Sequence, residues 1–269
     1  MILWLSNQRK YLEMERKESH KIALVTGASS GIGLAYARLL AAKGHKLILV
    51  SQDSERLNKA TSKLGPAVML QLPIDLSQRV GVKKLIESTP TPDVLIANAG
   101  VTLPGAIGAI DQSTRDSLYY LLCGGVIDLL ESLLPRMSQR KEGRVVVISS
   151  IAAITPMRKS AVYASAKAAV ARYTDSLAVE LRNSPLKLTV SLPGYVRTAA
   201  HERAGLGHLK NQIPNWMWLT ADEMVQETER ASLQGKTSIV PGRVYRWVRP
   251  FLGSQLANAA WQYLSSRRS

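Results

Sequence analysis

Apolar residues in this chain fall into two kinds of block. Short unbroken runs such as "KIALV", "KLILV", "RVVVI" and "LKLTV" are rich in Val, Ile and Leu. Longer stretches between them repeat apolar residues every three or four positions. The first kind suits strands covered on both faces, and the second suits amphipathic helices. Read in order, "KIALVTG" is a strand and "GIGLAYARLLAAKG" a helix ended by Gly44. "HKLILVS" is a second strand, then "DSERLNKATSKLG" a helix with Asp53 or Ser54 as N-cap and Gly65 at its end. "AVMLQLPID" is a third strand, "SQRVGVKKLIES" a third helix and "PDVLIANAG" a fourth strand. A long helical region covers roughly 111–140 and another covers 160–183. "GRVVVISS", "LKLTVSLPG" and the short "TSIVPG" complete the strands. Regular alternation predicts an α/β fold, a doubly wound parallel sheet of seven strands with helices on both faces. No linker rich in Gly, Pro or Ser divides it, so a single domain is expected.

The joints of this pattern carry the candidate chemistry. "VTGASSGIG" ends the first strand and opens the first helix, with Gly27, Gly31 and Gly33 as G-x-x-x-G-x-G. Glycines there let backbone approach a pyrophosphate, and the helix N-terminus offers unpaired N–H groups. Asp75, after the third strand, is placed to accept from an adenine amino group. It could instead cap the next helix, a task open to Ser77 as well. In "NAG", Asn98 can tie neighbouring backbone together and Gly100 can let a cofactor lie close. Both roles also serve structure alone.

"YASAK" sets Tyr163 and Lys167 four apart, on one face of a helix. A free phenol has a pKa of about 10, too high for ready proton exchange at neutral pH. A nearby ammonium favours the phenolate, so the pair reads as a general acid/base tuned downward. Ser150 ends the fifth strand at the carboxyl edge of the sheet, where its hydroxyl can donate to a carbonyl oxygen.

With "TGASSGIG", "NAG", "ISSIAA", "YASAK" and "PGYVRT" in this order over roughly 22–242, the chain resembles the short-chain dehydrogenase/reductase family. The resemblance implies one Rossmann-like domain, a nicotinamide cofactor and hydride transfer to or from a carbonyl or alcohol. It assigns Tyr163 as acid/base, Ser150 as holder of the substrate oxygen, and Lys167 as holder of the nicotinamide ribose. It assigns Gly27, Ser29, Ser30, Gly31, Ile32, Gly33, Ser51, Asp75, Leu76, Asn98, Ala99 and Gly100 to cofactor binding, together with Tyr163 and Lys167. Pro193 and Gly194 would turn the chain, with Val196 and Thr198 on the carboxamide. A homodimer or homotetramer through the long helices is implied too.

Two positions depart from the family. Its usual asparagine in the long helix falls here on Leu122, and no asparagine lies between Asn98 and Asn183. That puts the proton relay in question and leaves a second reading open, a cofactor-binding sensor or scaffold with poor turnover. At the end of the second strand, enzymes using NAD usually place a carboxylate on the ribose 2′-OH. Ser51 and Gln52 stand there, and Asp53 suits a cap, so NADP(H) is favoured over NAD(H).

Residues 199–220 form the expected substrate lid. Trp216, Met217, Trp218 and Leu219 in it suggest an apolar pocket wall, or equally the packed side of a lid helix. An apolar wall favours an acyl, lipid-like or aromatic carbonyl.

Charge changes the picture only at the ends. The formal net charge is +15, and seven Lys or Arg follow the last acidic residue, Glu229. Nucleic acid is not expected, since no recognised motif accompanies the charge, and no cysteine–histidine spacing calls for a metal. Residues 1–20 read as an N-terminal extension and 243–269 as a basic amphipathic helix starting near Pro250. That helix either docks on protein or lies on a membrane surface, docking being the commoner fate. No apolar run looks long enough to cross a bilayer. The one cysteine, Cys123, fits a reducing compartment, and a cytoplasmic location, or one peripheral to a membrane, is expected.

Overall fold

A computed structural model describes residues 20–249. The strands are β1 (Ile22–Thr26), β2 (Lys46–Ser51), β3 (Val68–Pro73), β4 (Val94–Ala97), β5 (Gly143–Ile148), β6 (Leu186–Ser191), β7 (Val196–Arg197), β8 (Leu219–Thr220) and β9 (Ser238–Ile239). The helices are α1 (Gly31–Ala42), α2 (Ser54–Thr61), α3 (Arg79–Ser88), α4 (Gln112–Tyr119), α5 (Gly125–Met137), α6 (Ala161–Glu180), α7 (Ala199–Arg203), α8 (Leu209–Gln212), α9 (Ala221–Leu233) and α10 (Arg243–Val248). Seven strands join in the order β3-β2-β1-β4-β5-β6-β9, and every pairing is parallel. The doubly wound sheet expected from the pattern is therefore present.

The unbroken apolar runs are explained by two cores. Side chains alternate across a strand, so Ile22 and Leu24 of β1 face one layer, and Ala23 and Val25 the other. The first layer holds Val82 and Leu85 of α3, Leu129, Leu130 and Leu133 of α5, and Val170 of α6. The second holds Tyr36 and Leu40 of α1 with Met224 and Val225 of α9. Strand order reverses between β1 and β4, whose carboxyl ends open a crevice, the place where ligands bind in such sheets.

Several expectations need correction. The helical region near 111–140 is two helices joined by a π turn over Tyr120–Gly124. The stretch Gln112–Met137 is also long and apolar enough to cross a membrane by length and composition. Its Leu130 and Leu133 are fully buried against the sheet, as suits a core helix. The apolar "WMWL" segment is no lid helix. Asn215–Met217 form a 3-10 turn and Leu219–Thr220 form β8, which pairs with β7 in a small second sheet. Trp216 is exposed, while Trp218 is buried against Tyr195 with ring centroids 5.3 Å apart. At the other end, α10 begins at Arg243, ahead of the expected start at Pro250. The rest of the tail and the extension before residue 20 lie outside the described residues.

Candidate active site

The glycine-rich turn is built on close approach. Gly27 has φ +68°, a conformation few other residues adopt. A Cβ on Gly33 would lie 2.2 Å from Gly27 O, so only glycine lets α1 start this near the strand. Asn98 secures the other side of the crevice. Its Nδ2 donates to Thr26 O at 2.9 Å, and the Asn98 and Ala99 amides both donate to Thr26 Oγ1 at 2.9 Å. The backbone-tying role open to Asn98 is thus realised in its geometry. Thr198 stands over the turn, since a Cβ on Gly31 would meet Thr198 Cγ2 at 2.9 Å. Ser51 Oγ donates to Ser29 Oγ at 2.8 Å, joining the end of β2 to the turn. Ser30 is the N-cap residue of α1, yet its side chain caps no helix N–H. Ile32 lies in the first turn of α1 and packs on the second core layer.

Asp75 Oδ1 accepts from the Ser77 amide at 2.9 Å, and Oδ2 accepts from Gln52 Nε2 at 3.1 Å. Neither Asp75 nor Ser77 caps α3, whose N-cap is Gln78. Asp53 does cap α2, accepting from the Arg56 amide at 2.9 Å. Leu76 and Ala99 line one small cavity with Leu121 and Val126.

Ser150, Tyr163 and Lys167 meet at the carboxyl end of β5. The Ser150 hydroxyl lies beside the Tyr163 phenol, and so does that of Thr102, a residue that no sequence motif singled out. Both hydroxyls favour the phenolate. Burial opposes them and wins, holding the phenol above its ordinary value. The expected lowering by Lys167 is therefore corrected. The Lys167 Nζ donates to Ile148 O at 2.8 Å and lies 6.0 Å from the centre of the Tyr163 ring. Lys167 is itself buried, which lowers its pKa from 10.5 to about 8. Ser149 fixes this part of α6 by donating to Lys167 O at 2.8 Å.

Leu122 sits in the π turn, 1% exposed. It faces "NAG" closely, as a Cβ on Gly100 would lie 2.9 Å from Leu122 Cδ2 and 3.8 Å from Lys167 Nζ. A side chain without polar atoms therefore occupies the ground beside the lysine.

Beyond β6, Pro193 O accepts from the Ile151 amide at 2.9 Å. A Cβ on Gly194 would lie 2.1 Å from the Tyr245 ring, so glycine makes room for that ring. The Tyr245 hydroxyl accepts from the Tyr195 amide at 3.0 Å and donates to Met217 O at 2.6 Å. It ties the turn after β6 to the segment that leads into β8. Val196, 4% exposed, continues into β7.

A model of the short chain dehydrogenase family matches residues 21–207. The chain belongs to the short-chain dehydrogenase/reductase family. An uncharacterized oxidoreductase from Staphylococcus epidermidis is 30% identical over 197 residues, 72% of this chain and 86% of that one. A short-chain dehydrogenase from Sphingobium yanoikuyae, solved in complex with NADPH, has a TM-score of 0.76 at 27% identity, over 91% of this chain and 95% of that chain. The bulky-bulky ketone specific alcohol dehydrogenase from Comamonas testosteroni has a TM-score of 0.74 at 25% identity, over 93% and 95%. This short-chain dehydrogenase/reductase is an NAD(P)-dependent oxidoreductase acting on CH–OH and C=O groups. The crevice fits such a cofactor: its glycine cradle would be filled by any side chain at Gly33.

Proposed function

We propose that this enzyme transfers hydride between NADP(H) and the carbonyl or secondary alcohol of an apolar substrate, acyl, lipid-like or aromatic. The observation that carries the reading is the convergence of Ser150, Thr102 and Tyr163 hydroxyls beside Lys167 at the sheet's carboxyl edge. The bound nicotinamide supplies or accepts the hydride. Tyr163 gives its phenol proton to the substrate oxygen in reduction and takes it back in oxidation. Ser150 orients that oxygen, and Lys167 holds the ribose. Gly27, Ser29, Gly31, Ile32 and Gly33 cradle the phosphates, while Asp75, Leu76, Asn98, Ala99 and Gly100 flank the adenosine and ribose. Val196 and Thr198 hold the carboxamide.

The NADP(H) preference is supported by the end of β2, where Ser51 binds Ser29 and no carboxylate stands. The apolar substrate is supported by the exposed Trp216 and the half-buried Met217 in the lid. Residues 21–242 act as one unit, and the working form is a homo-oligomer. The reading is checked by NADPH oxidation with bulky aryl and acyl ketones. Tyr163→Phe is expected to lower kcat/KM by about 10²- to 10⁴-fold while NADPH binding is kept. Equal turnover in the variant would sink the assignment of Tyr163.

Leu122 favours one second reading. With no polar side chain at that position beside Lys167, a chain that binds NADPH tightly yet reduces no carbonyl would be a cofactor-binding sensor or scaffold.

A further inference from the structure

Large apolar side chains stand in water along one edge of the sheet. Among the described residues eight such side chains are exposed. Val80, Tyr119, Val179 and Leu233 lie one each on α3, α4, α6 and α9. The other four share the carboxyl edge that carries Ser150. Val101 and Ile107 follow β4, Trp216 lies between β7 and β8, and Trp247 lies in α10 after β9. Trp247 is 83% exposed and Ile107 wholly so. Single exposed apolar residues are ordinary, but two tryptophans and an aliphatic loop tip on one edge mark a contact surface.

The loops among them are basic. Residues 149–160 and 238–249 contain Arg158, Lys159, Arg243, Arg246 and Arg249, all exposed, and no Asp or Glu. Glu227 of α9 answers Arg246 at 2.8 Å, and Arg249 Nη2 donates to Ser238 Oγ at 3.3 Å. Arg158, Lys159 and Arg243 enter no ion pair among the described residues. The edge is also stitched together. The Gly105 amide donates to Lys159 O at 2.8 Å, joining the loop of Ile107 to that of Arg158. The Tyr245 hydroxyl donates to Met217 O at 2.6 Å, setting the helix of Trp247 beside the turn of Trp216. With strands about 4.8 Å apart, the carboxyl ends of β4 and β9 stand roughly 15 Å apart.

Two arguments choose the partner. Cations interleaved with exposed indoles suit a lipid headgroup layer, where phosphates meet the cations and the rings sit between water and acyl chains. A nucleic acid would answer the cations and leave Ile107 in water. The chain also passes from α10 at this edge into residues 250–269. These contain Phe251, Leu252, Trp261, Arg267 and Arg268, and again no Asp or Glu.

We infer that this edge docks on an anionic lipid bilayer, with Ile107, Trp216 and Trp247 at headgroup level, so that the crevice opens toward lipid. The docking stands apart from the substrate reading above. Together the two have an apolar substrate enter from the bilayer without crossing water.

The test is flotation of the full chain with phosphatidylcholine vesicles holding roughly a third phosphatidylglycerol, against phosphatidylcholine alone, without cofactor or substrate. Wild type is expected to float with the anionic vesicles and to be released by salt. Trp247→Ser with Arg243→Gln should weaken binding by about 10- to 100-fold, an exposed cation alone being worth roughly fivefold. Ile107→Ser with Lys159→Gln should weaken it by about 5- to 20-fold. All four side chains are exposed, so NADPH oxidation with a water-soluble ketone should stay within about twofold in both variants. Absence of flotation with anionic vesicles would overturn the docking, and so would equal flotation with phosphatidylcholine alone. Flotation unchanged by Ile107→Ser with Lys159→Gln would overturn it too, since residues 250–269 would then tether the chain by themselves. A shift in oligomeric mass in the variants, with no vesicle binding by wild type, would assign the edge to contact between copies of the chain. The substrate reading is tested apart, by the ketones named above, so either can fail alone.

Discussion

Tyr163 is pulled in two directions. Burial disfavours its charged form, while the Ser150 and Thr102 hydroxyls beside it favour that form. Thr102→Val should therefore lower kcat/KM roughly tenfold with NADPH affinity unchanged. A change in cofactor affinity alone would place Thr102 elsewhere in the mechanism. Lys167 bears the heavier cost. Its pKa in the folded protein is about 8 against 10.5 unfolded. The unfolded chain thus binds more protons between those values, and stability from this group rises with pH across that window. Below pH 8 the buried ammonium costs about 3 kcal/mol. Lys167→Met should therefore be more stable than wild type at pH 7 in urea unfolding, with the gap closing as pH climbs from 8 to 10.5. A gap that stays constant would show that burial of the charge is not its source. Ser150, Tyr163 and Lys167 were legible because motif and helical spacing hold them together. Thr102 was not, since no spacing rule links a loop threonine to a helix tyrosine.

Among the elements, α9 is fastened from beneath the sheet. Glu229 is 3% exposed and pairs with Arg144 at the start of β5 and with Lys43 after α1, the latter at 2.7 Å. Burial would raise its carboxyl, but Arg144 and Lys43 outweigh burial and hold it below the usual range. Glu229→Gln leaves Arg144 buried without its counter-charge and should cost about 3–5 kcal/mol in urea unfolding at neutral pH. The sign with pH follows. A depressed carboxylate contributes above its unfolded pKa of 4.5, and that contribution is lost as pH falls through the folded value. The gap between wild type and variant should therefore narrow in acid, and a gap that widens would contradict the pairing. The main strands and helices were readable because their runs are long enough to show a period. β7 and β8 are two residues each, too short for any period, and they are fixed where Leu219 returns beside Tyr195 of the "PGY" turn. The π turn was hidden for a different reason. Its extra residue shifts a helix without altering the apolar pattern of either half.

Across the whole molecule, the sheet places both banks of the crevice before any side chain is considered. Reversal of strand order between β1 and β4 brings Gly27 beside Asn98, far apart in sequence yet linked by the Asn98 side chain, whose Nδ2 donates to Gly27 O at 3.4 Å. This much followed from the alternation of strands and helices. The direction of the excess charge did not, because a total of +15 says nothing of where a guanidinium points. Arg203 meets the glycine-rich turn only in the folded chain, where its Nη2 donates to Ser30 Oγ at 3.1 Å.

The pin at Tyr245 also has a consequence in time. A chain is made from its amino end, and its early parts organise first. Every residue named for hydride and proton transfer has left the ribosome well before Tyr245 appears. Until then neither Tyr195 nor Met217 has the phenol that holds it. The nascent protein thus owns its chemical machinery before it owns the latch, and the latch is the last part of the crevice to be delivered.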